Sequence, residues 1–125
     1  MSGSEDDVLG FIAASFPSVW ALEILLALRS ERRIWTREEL VTSLRASDLV
    51  VTKALEALMA GGLASVDDEG AIYLPVSREV DACVEEVEKL YRTRPNAVRR
   101  AIMSVSTSSA SAFADAFKLR NQKHD

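Results

Sequence analysis

Apolar and polar positions along this chain change period several times, and each change marks an element. Val8, Phe11, Ile12 and Phe16 recur at three- and four-residue spacing, which predicts a short amphipathic helix. Pro17 ends or redirects it, and Ser18 stands where the next helix would be capped. Val19 to Leu28 is apolar nearly all round, and such a helix is usually central in a small domain. Arg29 to Arg33 is its polar exit, followed by a short extended pair, Ile34-Trp35. Thr36-Arg37-Glu38-Glu39 opens another helix with a capping box, in which the Thr36 hydroxyl takes an orphan amide and the Glu39 carboxylate reaches back. Leu40, Val41 and Leu44 supply its buried side.

After the tight connection Arg45-Ala46, Ser47 caps the next helix and Asp48 suits the positive end of its dipole. Val51, Leu55 and Leu58 share one face of that helix, and Gly61-Gly62 stop it, since glycine takes the left-handed cap conformation cheaply. Leu63-Ala64-Ser65-Val66, the turn Asp67-Asp68-Glu69-Gly70 and Ala71-Ile72-Tyr73-Leu74 read as a β-hairpin, which Pro75 ends. Val80, Cys83, Val84, Val87, Leu90 and Tyr91 then form a helical stripe, with Glu79, Asp81, Glu85, Glu86 and Glu88 over much of the rest. Pro95 suits the first turn of a further helix carrying Val98, Ile102 and Met103 on one side. Ser104 to Ser111 reads as a serine-rich connection, and Phe113, Phe117 and Leu119 repeat along a last amphipathic turn or two.

The stretch from Thr36 to Pro75, two short helices, a glycine pair and a hairpin, resembles the winged helix-turn-helix superfamily of small bacterial regulators. The nearest general likeness is to the MarR and ArsR types, although no metal ligands of the ArsR kind are present. The resemblance covers roughly half of the chain. It implies that Ile34-Trp35 is a strand pairing with the wing hairpin, and that the helix over 47–60 enters the major groove. A frequent pattern in that family is a small polar residue, two variable positions and Thr-Val-Ser-Arg-Ala-Leu; here the run is Val50-Val51-Thr52-Lys53-Ala54-Leu55. The predicted fold is therefore mainly α with a small β-wing. A winged helix-turn-helix core spans 18–75, after an N-terminal extension and helix over 1–17. C-terminal helices span 76–103, and the serine-rich connection and amphipathic tail span 104–125.

With 125 residues, 48% hydrophobic and 27% charged, the chain has the length and composition of one folded domain, with or without a tail. One cysteine, Cys83, excludes an internal disulfide, and its place on the apolar stripe predicts an inert core thiol. The single histidine, His124, lies next to the C-terminus, where a histidine-based triad is not expected. No glycine-rich phosphate loop, metal-ligand cluster or nucleophile–base pair is legible, so no enzyme, cofactor or metal is expected. The acidic start and the short apolar run over 19–28, which contains Glu23, do not read as a secretory signal or a membrane span. A cytoplasmic protein with no membrane partner is the expectation.

The net charge of −4 is unevenly spread. Segment 29–53 holds six basic residues, Arg29, Arg32, Arg33, Arg37, Arg45 and Lys53, against four acidic, whereas 64–90 holds two basic against eight acidic. Arg92, Arg94, Arg99 and Arg100 form a later basic group. Either arginine group suits phosphates or a solvated face. On the helix over 47–60, the resemblance implies DNA contact by Ser47, Asp48, Val50, Thr52 and Lys53, with Arg37 beside them. Lys53 suits phosphate or guanine, and Val50 a thymine methyl. The wing departs from a DNA-binding pattern, because Asp67, Asp68 and Glu69 at its tip would repel a polyanion. Either it stays off the DNA or it meets a basic protein, unless it is simply a solvated turn.

The stripe over 80–91 suits either domain core or a helix–helix seam. We assign Val80, Val84, Val87 and Tyr91, with Phe113 and Phe117, to a dimer or partner interface. The expected function is a homodimeric DNA-binding transcriptional regulator that reads DNA with the helix over 47–60. The alternative is a winged-helix adaptor that binds a protein partner through its acidic wing or aromatic tail.

Overall fold

In the computed structural model, which describes residues 5–103, the first periodic stretch forms α1 (Glu5–Ser15). Glu5, Asp6 and Asp7 occupy its first turn, where negative charge suits the helix dipole. The chain then bends by 104° at Pro17 into α2 (Val19–Ser30). The Ser18 hydroxyl caps α2 by accepting from the Ala21 amide at 3.2 Å. Ala21, Leu22, Ile24, Leu25 and Leu28 are all buried, which makes α2 the centre of the core. Each of the leucine and isoleucine side chains contributes roughly 1.5–3 kcal/mol by leaving water.

The capping box at Thr36 and Glu39 opens α3 (Arg37–Leu44), with both of its hydrogen bonds formed. Arg45, in the left-handed conformation at φ 55°, turns the chain toward α4 (Asp48–Ala60). That conformation costs an L residue roughly 1–2 kcal/mol. Here it lets the Val41 carbonyl accept from the amides of both Arg45 and Ala46, which closes the helix end. The Ser47 hydroxyl caps α4 through the Val50 amide. Val51, Ala54, Leu55 and Leu58 form the buried face of α4, which packs against α2. Leu40 of α3 closes one side of the same core.

Gly61 ends α4, and Gly62 at φ +74° sends the chain into β1 (Ala64–Val66). β1 pairs antiparallel with β2 (Ala71–Tyr73) in the register Ala64↔Tyr73, Ser65↔Ile72 and Val66↔Ala71. Trp35 adds a single antiparallel bridge to Ala71 on the other edge of β2. The hairpin therefore lies against both α4 and α2. After Pro75, α5 (Arg78–Thr93) is capped by Ser77 and packs on α1. The last helix among the described residues, α6, runs over 95–103 with Pro95 in its first turn and Val98 and Ile102 buried. The described chain is thus mainly helical with a small two-stranded antiparallel sheet.

Three expectations need correction. Cys83 is exposed, because it lies one position round α5 from the buried line of Val84 and Val87. Those two valines are fully buried inside this chain, so they are core and not available to a second subunit. Met103 projects into solvent, while Val98 and Ile102 face inward. The serine-rich run, Phe113, Phe117, Leu119 and His124 lie outside the described residues.

Candidate functional site

The exposed side of α4 and the turn that leads into it form the surface that the sequence singles out. Burying Val51, Ala54, Leu55 and Leu58 leaves Asp48, Leu49, Lys53, Glu56 and Met59 exposed. Three of the six residues assigned to DNA, Arg37, Asp48 and Thr52, meet at the first two turns of α4. Arg37 Nε lies 3.1 Å from the Asp48 carboxylate, and Arg37 Nη1 donates to the Thr52 hydroxyl at 3.4 Å. Lys53 follows Thr52 directly and has no ion-pair partner among the described residues. Ser47 is exposed but its hydroxyl is engaged as the cap, and Val50 is half-buried. Arg37 thus offsets the charge of Asp48, which leaves Lys53 and Arg45 as the uncompensated cations near this helix end.

Sequence reading passed over two exposed apolar side chains on α4. Leu49 is 62% exposed in the first turn and Met59 is 48% exposed in the last. Helical spacing carried the signal for Leu49, since it stands opposite the line of Val51, Leu55 and Leu58. The charge of Arg45 is legible in the sequence, but its backbone conformation has no mark there.

Most other arginines are already engaged. Arg33 reaches both Glu31 and Glu39 at 3.1 Å and stacks over Trp35 at 4.1 Å from the ring centre. The Thr36 amide, and next the Arg33 guanidinium, hold the Glu39 carboxyl below the usual carboxylate range. Arg94 pairs with Glu5, and Arg99 lies over the Tyr91 ring and donates to its hydroxyl. Arg92 and Arg100 are exposed, without an ion-pair partner among the described residues.

Among the described residues Arg29 is the most sequestered cation, with its side chain 14% exposed. It donates to Glu88 at 2.5 Å, while Arg29 Nε is buried with no hydrogen-bond partner and lies 3.9 Å from Asp81. Asp81 also accepts from the Tyr73 hydroxyl at 2.5 Å. Burial, reinforced by donation to Asp81, pushes the Tyr73 phenol up to about 12. Tyr91 donates to Glu23 of α2, and its phenol is raised in the same way, first by burial and then by that carboxylate. These two tyrosine–carboxylate pairs bind α5 to the sheet and to α2, so this polar cluster is structural.

At the hairpin tip, the Asp67 carboxylate folds back onto its own turn. It accepts from the amides of Glu69 at 2.8 Å and Gly70 at 3.2 Å. All three acids of the tip are exposed, and the carboxylates of Asp68 and Glu69 have no partner among the described residues. An open cleft of about 510 Å³ runs beside α3, but its charged walls include the already engaged Arg33 and Glu39. No cluster of histidine, cysteine and acidic residues fit to hold a metal occurs among the described residues. No single helix among them is long and apolar enough to cross a membrane. Neither protein-family models, curated proteins nor solved structures gave a match to this chain.

Proposed function

We propose that the chain is a winged helix-turn-helix protein that presents α4 to duplex DNA as a transcriptional regulator. The element order supports the fold. α2 is followed by Trp35, which bridges to the hairpin, then by α3, α4 and the hairpin itself. One observation carries the function. α4 is seated on α2 by its apolar face, and its capped N-terminal end stands exposed with Ser47, Lys53 and Arg45 at the surface. In helix-turn-helix proteins that end of the second helix contacts base edges. In this reading Lys53 contacts phosphate or guanine, and Arg37 fixes Asp48 and Thr52 in place. The acidic tip at Asp68 and Glu69 stays off the duplex. The reading places the protein in the cytoplasm and pairs two copies, because paired half-sites need paired recognition helices.

The test is titration of labelled genomic fragments at two salt concentrations, with wild type and Lys53→Glu. Affinity should fall as salt rises, and Lys53→Glu should weaken binding at both. No detectable binding by wild type at low salt, where even non-specific contacts register, overturns the DNA reading.

A second reading rests on specific features. Leu49 and Met59 are apolar and exposed on the very helix that would enter the groove, and Asp68 and Glu69 project from the hairpin. Together they suit an adaptor that binds a basic protein surface. A pull-down partner lost on neutralising Asp68 and Glu69, together with absent DNA binding, would favour it.

A further inference from the structure

Arg45 occupies the position after α3 where the backbone is left-handed, at φ 55° and ψ 39°. Glycine is the usual residue there, because it has no Cβ to clash. Among the described residues Arg45 is the only non-glycine with positive φ. Its side chain is exposed and, among the described residues, has no ion-pair or hydrogen-bond partner. This contrasts with Arg29, Arg33, Arg37 and Arg94, each of which faces a carboxylate. A local conformation that favours glycine and a side chain that contributes no contact to the fold make a folding role for this arginine hard to sustain.

Its position supplies another role. Two peptide links separate Arg45 from Ser47, the cap of α4, which is roughly 7 Å of extended chain. Arg45 therefore lies at the same end of α4 as the exposed helix terminus. The nearest acidic residue in sequence, Asp48, is offset by Arg37. We propose that Arg45 contacts a backbone phosphate of the duplex that α4 faces, an inference that rests on the DNA reading above. Guanidinium groups suit this task, since their fork of donors matches phosphate oxygens. A phosphate contact positions α4 without adding base preference.

Stability and affinity should therefore move in opposite directions at this one residue. Arg45→Gly removes the charge and relieves the backbone, whereas Arg45→Lys keeps a cation in the same conformation. Both are compared with wild type by urea unfolding and by titration of a mixed-sequence duplex over a range of salt. Arg45→Gly should unfold at higher urea yet bind more weakly, with the log–log salt slope shallower by about 0.9, the share of one phosphate contact. Arg45→Lys should keep the wild-type slope. Wild-type binding with an unchanged slope in Arg45→Gly overturns the role of Arg45 and leaves the DNA reading standing. A wild type that does not bind at low salt overturns both.

Discussion

Trp35 and Ala71 exchange both main-chain hydrogen bonds, each at 2.8 Å, and this one bridge fixes the entry of α3 relative to the hairpin. The approach is close enough to dictate the neighbouring residue. A Cβ at position 70 would lie 2.1 Å from the Trp35 carbonyl oxygen, and Gly70 has φ +147°. The Trp35 indole adds a donor bond to the Glu31 carbonyl at 2.9 Å, so the strand segment is held from both sides.

Gly70→Ala should therefore cost more than an ordinary turn substitution. The clash is with backbone, which has little room to move, and the expected loss is roughly 1–3 kcal/mol. Urea unfolding checks it; a change within about 0.5 kcal/mol, the range of a neutral surface substitution, would contradict the close approach.

The α2–α4 interface should behave as the heart of the domain. Leu58 is fully buried on α4, the helix that packs against α2, so Leu58→Ala should destabilise by roughly 2–5 kcal/mol. Met59→Ala, one residue on and half-exposed, should change stability little. Similar losses for the two in thermal unfolding would place α4 in a different rotation.

Arg29 and Glu88 test a different kind of contact. Removing Glu88 as Glu88→Ala leaves a largely buried guanidinium whose Nε already lacks a partner, and the expected loss is roughly 1–3 kcal/mol. Arg29→Met combined with Glu88→Leu should lose less than Glu88→Ala alone, because no stranded charge remains. A double-mutant cycle measures the difference, and a double variant worse than the single one would count against the argument.

Alkaline pH should expose the two tyrosine pairs. The Tyr73 phenol lies at about 12 in the fold, against an ordinary value near 10 in the unfolded chain. The unfolded state therefore releases its proton first. Stability from this group is intact below about pH 10 and falls as pH rises from about 10 to 12. Tyr91, raised in the same direction, adds to the fall. Tyrosinate absorbance should appear together with loss of folded signal; normal titration near pH 10 in the intact fold would remove both hydroxyl–carboxylate bonds from the account.

Much of this architecture is legible from local rules. The capping box at Thr36 and Glu39, the cap at Ser47, the glycine stop at Gly61-Gly62 and the turn at Asp67–Gly70 each involve residues within three or four positions of one another. Their hydrogen bonds are therefore set by neighbours in sequence. The buried faces of α2 and α4 were equally legible, since helical period alone tells which side chains share a side. The candidate surface on α4 followed from the same rule, as the residues left over when Val51, Leu55 and Leu58 face inward.

What remained was decided by contacts between distant parts of the chain. Periodicity shows that Val84 and Val87 must be covered but not by what, and the fold covers them from within this chain, with α5 packed on α1. The charge of an arginine is written in the sequence, but its availability is not. Glu88 engages Arg29 across 59 positions and Glu5 engages Arg94 across 89, so two cations legible as phosphate ligands are bound internally. Arg45 reverses the case: its charge is plain in the sequence, while its left-handed backbone and unpartnered side chain are seen only in the fold. Local structure follows from short-range geometry and the hydrophobic period, whereas the supply of free charge at a surface depends on which opposite charges the fold brings alongside.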